Sequence, residues 1–177
     1  MIILVDMDGV LANFEKGVLD SYRNRHPDQY YVPLEKRTYF RVQEEYPPEL
    51  QPLIQEIYLS QGFFLNLPPI EGALEGLSKL SQDHQVYICT SPLLSNPFCL
   101  KEKYDWVIKH LGKSWTKQMV VTKDKTIVNG DLLIDDKPEI SGKQVPKWEH
   151  ILYSQPYNRQ ISSKRRITWE NWESVLK

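Results

Sequence analysis

Asp6 and Asp8 stand one residue apart directly behind the apolar run ILV at 3–5, and Gly9 follows them. Two further runs also end in polar chemistry. QVYIC leads into Thr90 and Ser91, and LLI at 132–134 leads into Asp135 and Asp136. With Asp131 included, five acids are expected near one edge of the fold. Clustered carboxylates repel and raise one another's pKa values, so such a set is stable when a cation neutralises it. Oxygen donors without His or Cys favour Mg2+ over zinc. Mg2+ usually keeps some waters and takes a substrate phosphate as well, so the chemistry expected is Mg2+ plus phosphate.

A phosphate needs donors. Thr90 and Ser91 offer hydroxyls and backbone N–H groups. Lys103, early in the following helix, offers a point charge able to reach a phosphoryl oxygen. Composition alone favours reading it as a solvated helix lysine like Lys101 and Lys109. A carboxylate beside Mg2+ can attack phosphorus, which makes Asp6 the candidate nucleophile of an aspartyl-phosphate route. Asp8 would then protonate the leaving oxygen and later activate water. Gly9 lets the chain turn sharply after the strand. Mg2+ and Lys103 would offset charge on the transferring phosphoryl group.

The elements that must hold these residues read as strands and helices in alternation. IILVD (2–6), QVYICT (85–90), QMVVT (118–122), DLLID (131–135) and EHILYS (149–154) predict buried strands. EGALEGLSKLSQ (71–82) and LKEKYDWVIKHLG (100–112) predict helices. In the second, Tyr104, Val107, Ile108 and Leu111 fall at helical spacing and Gly112 suits the stop. A final helix is expected to include Trp169, Trp172, Val175 and Leu176. This order argues an α/β fold, a Rossmann-like parallel sheet covered on both faces. In such sheets ligands bind beyond the carboxyl ends of the strands, where the acids stand.

The stretch between the first strand and the helix at 71 is too long for one crossover. Residues 14–26 and 48–61 look helical, separated by loops bearing Pro and aromatics. The region carries Phe14, Tyr30, Tyr31, Tyr39, Phe40, Tyr46, Tyr58, Phe63 and Phe64. It reads as a small helical cap, 14–65, inserted into a core made of 1–13 and 66–177. Its aromatics either pack the cap's own interior or face a ligand.

Composition narrows the classes of function. The chain's 177 residues, 41% hydrophobic and 25% charged, suit one sizeable globular unit. A net charge of -1 argues against a uniformly basic nucleic-acid coat, and a nucleic-acid polymer is not an expected partner. No apolar run is long enough to span a bilayer, so no membrane partner is expected. The N-terminal apolar run meets acids at once, unlike a signal peptide, and a cytoplasmic location is expected. Cys89 and Cys99 lack a metal spacing and read as buried, reduced thiols. SSKRRITW (162–169) reads as a solvated loop. KWEH (147–150) reads as cover for a strand edge, with Trp148 packing and His150 near the surface.

DMDGV (6–10), ICTS (88–91), Lys103 and LLIDDKP (132–138), in that order, resemble the haloacid dehalogenase (HAD) superfamily of phosphotransferases. DMDGVLANFE, CTSPLLSNPFCLKEKYDWV, VVTKDKTIVNGDLLIDDKPEI and PKWEHILY further resemble its 5′(3′)-deoxyribonucleotidases, from residue 2 to about 155 and most weakly in the cap. The resemblance implies a HAD-type core with a helical cap, Mg2+ dependence and a small-molecule substrate, a nucleoside monophosphate. It makes Asp6 nucleophile and metal ligand, Asp8 acid/base and, through its backbone carbonyl, metal ligand. Asp136 is then the third metal ligand, with Asp135 supporting it. Thr90, Ser91 and Lys103 would hold phosphate. Phe14, Phe40, Val42, Tyr58 and Phe64 match positions lining the base and sugar pocket, and Lys123 and Lys125 match a basic pair near the nucleotide. Family members often form homodimers. Two departures stand out. Arg41 and Tyr58 fall where better-known members have tryptophans, and Leu94 falls where a Lys is common. Arg41 and Tyr58 can still stack on a base.

Other readings share part of the evidence. The same active site could serve another small phosphate ester, such as a sugar phosphate or a ribonucleotide, since the cap sets the substrate. A non-catalytic nucleotide-binding protein could keep the fold. A glycosyltransferase-type DxD would leave Lys103 and IDDKP without a role.

Overall fold

The computed structural model describes residues 1–176. Its sheet is built from β1 (Ile2–Val5), β2 (Gln85–Thr90), β3 (Met119–Val121), β4 (Leu132–Asp135), β5 (Glu149–Tyr153) and β6 (Arg166–Ile167). The order is β3-β2-β1-β4-β5-β6, with every neighbouring pair parallel. The expected α/β class and its five foreseen strands are present. Ile3, Leu4 and Val5 in β1 and Leu133 and Ile134 in β4 are essentially inaccessible to solvent. Burial on both faces is why these strands read as unbroken apolar runs rather than alternating ones.

The helices are α1 (Phe14–Arg25), α2 (Gln51–Leu59), α3 (Ala73–Asp83), α4 (Cys99–Leu111) and the single turn α5 (Trp172–Val175). Asn13 caps α1, its Oδ1 accepting from the Lys16 N–H at 3.1 Å. α4 stops at Gly112, whose φ of 92° is left-handed. Its buried face carries Cys99, Lys103, Trp106 and Val107, whereas Tyr104 and Ile108 face outward.

From β1 the chain builds β2 and β3 on one side, then crosses back to lay β4, β5 and β6 on the other. Strand order therefore reverses between β1 and β4, the place where an open parallel sheet leaves a crevice. Register sharpens this. Val5 is opposite Ile134, so Asp6 and Asp135 come level at the carboxyl edge.

Several expectations need correction. Asp131 precedes β4 and its Oδ2 accepts from the Ile2 N–H at 2.6 Å, so it lies at the opposite edge from the other acids. The final helix is one turn long. Trp169 lies ahead of it, packed so closely on Gly76 that a Cβ there would come within 2.3 Å of the indole. Residues 162–169 are not simply a solvated loop, because Arg166 and Ile167 form β6 against Leu152 and Tyr153. The missed strand is two residues long, too short for a periodic signal.

Candidate active site

The turn after β1 sets the first two acids. Asp6 N–H bonds to Ile134 O at 2.9 Å, and Met7 O accepts from Leu11 and Ala12 N–H, both at 2.8 Å. Met7, Val10, Leu11 and Ala12 are fully buried, which anchors the turn from beneath and leaves Asp6 and Asp8 facing outward. Gly9 has φ 76°, and a Cβ on it would come within 2.5 Å of Asp136 Oδ2. Glycine is thus required twice, by the turn and by the approach of β4's acid.

Two lysines come to these acids. Lys103 is only 1% exposed, so the solvated-helix reading fails. Its Nζ lies 2.7 Å from Asp8 Oδ2, donates to Thr90 Oγ1 at 2.7 Å and to Ser91 O at 3.1 Å, and sits 5.5 Å from the centre of the Phe64 ring. Lys125 Nζ lies 2.7 Å from Asp6 Oδ1 and 2.6 Å from Asp135 Oδ2. It lines the same cavity as the residues expected to form a nucleoside pocket, but its ammonium stands on the carboxylates at the floor. Lys123 lines the wall and donates to Pro92 O at 3.1 Å.

Burial dominates the electrostatics. It raises the carboxyl pKa of Asp6, with Lys125 opposing and Asp135 adding to the rise. It raises Asp8, with Lys103 opposing. Asp136 is driven well above the usual carboxylate range by burial and then by the charges of Asp135 and Asp6. Lys125 is held above the ordinary lysine value by Asp6 and Asp135, which outweigh the cost of burying it.

Asp6, Asp135 and Asp136 each offer an oxygen within 4.8 Å of the others. With Asp8, four carboxyl groups face two ammonium groups, so full ionisation leaves a surplus of two negative charges in a buried setting. Hard oxygens, that surplus and the side-chain-free cradle at Gly9 fit a divalent cation such as Mg2+. Asp8 Oδ1 is buried without a hydrogen-bond partner, while Oδ2 is taken by Lys103. An unpaired buried carboxylate oxygen beside a cavity is poised for a proton or a ligand atom.

Above this floor lies a cavity of ≈ 400 Å³, within the range of small-molecule sites. Of the residues expected in the nucleoside pocket, Phe14, Phe40, Arg41, Val42, Tyr58 and Phe64 all line it. Asp6, Asp8, Ser91, Lys125, Asp135 and Asp136 also reach it, whereas Thr90 and Lys103 lie just beneath. Phe14 meets Tyr58 and Phe64 at ring separations of 6.0 and 6.2 Å, forming an apolar wall. Arg41 sits at the rim, its side chain 70% exposed and 3.5 Å from Glu44. Leu94 is 73% exposed and stands apart from the cavity lining.

Several supporting residues carried no sequence signal. Glu102 accepts from the N–H groups of Gly62 at 2.5 Å and Phe64 at 3.0 Å, tying the pocket's aromatic loop to α4. Arg37, 3% exposed, pairs with Glu15 and Glu45 inside the inserted segment. Gln43 joins the lining and accepts from the Tyr58 hydroxyl at 3.4 Å. After β5, Gln155 Nε2 donates to Gly9 O at 2.7 Å, and Asn158 Nδ2 donates to Asp136 O at 2.7 Å. The carboxyl-edge rule, applied to the fifth strand, points to this last segment.

The family described as "5′ nucleotidase, deoxy (Pyrimidine), cytosolic type C protein" matches residues 1–177. This chain belongs to that family. It is an enzyme, a phosphoric monoester hydrolase of the 5′-nucleotidase type. A Bordetella pertussis relative is 48% identical over 99% of this chain and 95% of its own length. The human "5′(3′)-deoxyribonucleotidase, cytosolic type" is 45% identical, covering 98% of this chain and 92% of its own. Among solved structures, a HAD family hydrolase from Deinococcus radiodurans superposes with a TM-score of 0.60 at 14% identity, covering 99% of this chain and 94% of that one. That likeness establishes the HAD-type fold.

Proposed function

We propose that the chain is a Mg2+-dependent phosphomonoesterase that dephosphorylates deoxyribonucleoside 5′(3′)-monophosphates through a phosphorylated Asp6. The observation that carries this reading is the floor of the cavity. There Asp6, Asp135 and Asp136 converge within 4.8 Å, while Lys125 holds one oxygen each of Asp6 and Asp135 and Lys103 holds Asp8 Oδ2. The relatives' names, 5′(3′)-deoxyribonucleotidase, supply the substrate class.

Lys125 restrains Asp6 Oδ1, which leaves the other carboxylate oxygen to attack phosphorus. The bond from phosphorus to the ester oxygen breaks as the Asp6 oxygen bond forms. Burial keeps Asp8 protonated to higher pH than an exposed carboxyl, so Asp8 can hand its proton to the departing nucleoside oxygen. Asp8 then accepts a proton from water as the water oxygen bonds to the phosphorus, the bond from phosphorus to the Asp6 oxygen breaks, and inorganic phosphate and free Asp6 result. Lys103, braced by Thr90, steadies Asp8 and puts its positive charge beneath the phosphoryl group. When bound through Asp6, Asp136 and the Asp8 carbonyl, Mg2+ supplies charge neutralisation for the phosphoryl oxygens.

Residues 14–65 act as the cap over a core of 1–13 and 66–177. Phe14, Phe40, Tyr58 and Phe64 offer faces for a base, and Val42, Gln43 and Arg41 complete the wall. Closing an aromatic cavity over the floor excludes water from the reacting phosphorus. No helix among the described residues is long and apolar enough to cross a membrane. The name of the human relative, cytosolic type, supports a cytoplasmic location for this enzyme. A homodimer, the assembly common in this family, is checked by sedimentation velocity.

The decisive experiment compares kcat/KM over deoxy- and ribonucleoside 5′- and 3′-monophosphates and sugar phosphates in Mg2+, with Asp6→Asn as control. Selective turnover of deoxynucleotides, abolished in Asp6→Asn, is the expected result. Equal rates on dUMP and a sugar phosphate would remove the nucleotidase reading, and an active Asp6→Asn enzyme would remove the nucleophile.

A further inference from the structure

Tyr157 follows β5 in the one-turn segment Pro156–Asn158 and is 2% exposed. Its hydroxyl donates to Asp136 Oδ2. Its neighbour Asn158 holds the backbone of the same acid, Nδ2 donating to Asp136 O at 2.7 Å and to Tyr153 O at 2.9 Å. Asn158 is itself locked, since Arg166 donates to its Oδ1 and its carbonyl, both at 2.8 Å. Two consecutive residues thus fix the side chain and the main chain of Asp136.

The ring has a second role. The Arg37 guanidinium lies 5.5 Å from its centre, and Phe40, a lining residue of the cavity, packs edge-on at 5.8 Å. Tyr157 therefore touches the acid cluster through its hydroxyl and the nucleoside wall through its ring. Nothing in the proposed chemical steps uses it, yet it is the sole hydroxyl donor to Asp136 among the described residues.

We propose that Tyr157 is a positioning residue for the cation site: by occupying Asp136 Oδ2 it fixes the rotation of the carboxylate and so the way it meets Asp6 and Asp135. A carboxylate left free to rotate would present either oxygen, or neither, to the cation. Second-layer partners that orient a ligand commonly change metal affinity by about 10–100-fold. This role rests on the metal reading above and adds to it a specific residue.

The test uses full-length enzyme stripped with EDTA, without substrate. Binding of Mn2+ is followed by electron paramagnetic resonance and binding of Mg2+ by the rise in melting temperature. Tyr157→Phe keeps the ring and its contacts with Arg37 and Phe40, and its circular dichroism confirms folding. The expected result is cation affinity weakened about 10-fold. At saturating Mg2+ the variant keeps the parent KM for nucleotide and regains most of its kcat. A purely structural role would lower the melting temperature of the stripped protein and leave cation affinity intact. Affinity within twofold of the parent overturns the proposal. A parent enzyme that binds neither cation overturns the metal reading itself, a distinct failure.

Discussion

Lys125→Met separates two views of Lys125, as a contact to the nucleotide or as the counter-ion of the acid cluster. The structure gives the ammonium two carboxylates, Asp6 at 2.7 Å and Asp135 at 2.6 Å, with the lysine side chain 7% exposed. Methionine has a similar length and fills the same space without the charge. Removing one partner from a buried ion pair costs about 3–5 kcal/mol, because the remaining charge stays desolvated. A chain of this size loses roughly 2–4 °C of melting temperature per kcal/mol, so roughly 6–20 °C is expected in EDTA at pH 7. The pH dependence has a definite sign. Burial already raises Asp6 and Lys125 is the largest opposing influence. Without it the folded carboxyl moves further above its unfolded value of about 3.9. Between those values the native state binds more protons than the unfolded chain, so stability falls as pH rises. The loss relative to the parent should therefore be smaller at pH 5 than at pH 7, and Mg2+ should recover part of it. Differential scanning calorimetry in EDTA at both pH values measures this. A melting temperature within 2 °C of the parent (about 1 kcal/mol or less), with only KM for nucleotide raised, would refute the counter-ion assignment.

Gly9→Ala places a methyl group 2.5 Å from Asp136 Oδ2 and forces φ 76° on an L-residue. A stability loss of about 1–2 kcal/mol from the backbone alone is expected, together with a higher Mg2+ concentration for half-maximal phosphate release in steady-state kinetics. Glu102→Gln keeps the length but exchanges a charged acceptor for a neutral one under the Gly62 and Phe64 N–H groups. Charge-assisted bonds are about twice as strong as neutral ones, so KM for nucleotide should rise several-fold while kcat at saturation changes little. Burial pushes the Cys89 thiol up to about 12 and also raises Cys99. Neither should react with a disulfide reagent at pH 8 in native enzyme, and both should react promptly in denaturant.

Asp6, Asp8, Thr90, Asp135 and Asp136 were legible in the sequence because each follows or closes an apolar strand, and parallel strands deliver their carboxyl ends to one edge. The same logic misplaced Asp131, which opens its strand instead of closing it. The stretch between β1 and α3 stood out as an overlong crossover, and four of its nine aromatics, Phe14, Phe40, Tyr58 and Phe64, line the cavity while the rest do not. Sequence determined five of the six strands, the long crossover and four of the five acids because these depend on local periodicity and chain direction. Tertiary structure alone decided which cation answers which anion. Lys103 and Lys125 look like any solvated lysine until α4 and the loop before β4 fold them inward. Glu102 and Tyr157 act across separations of 38 and 21 residues, where no local pattern records a partner. Those pairings are set by the packing of elements distant in the chain, and burial is what turns each of them from a weak surface contact into a strong constraint.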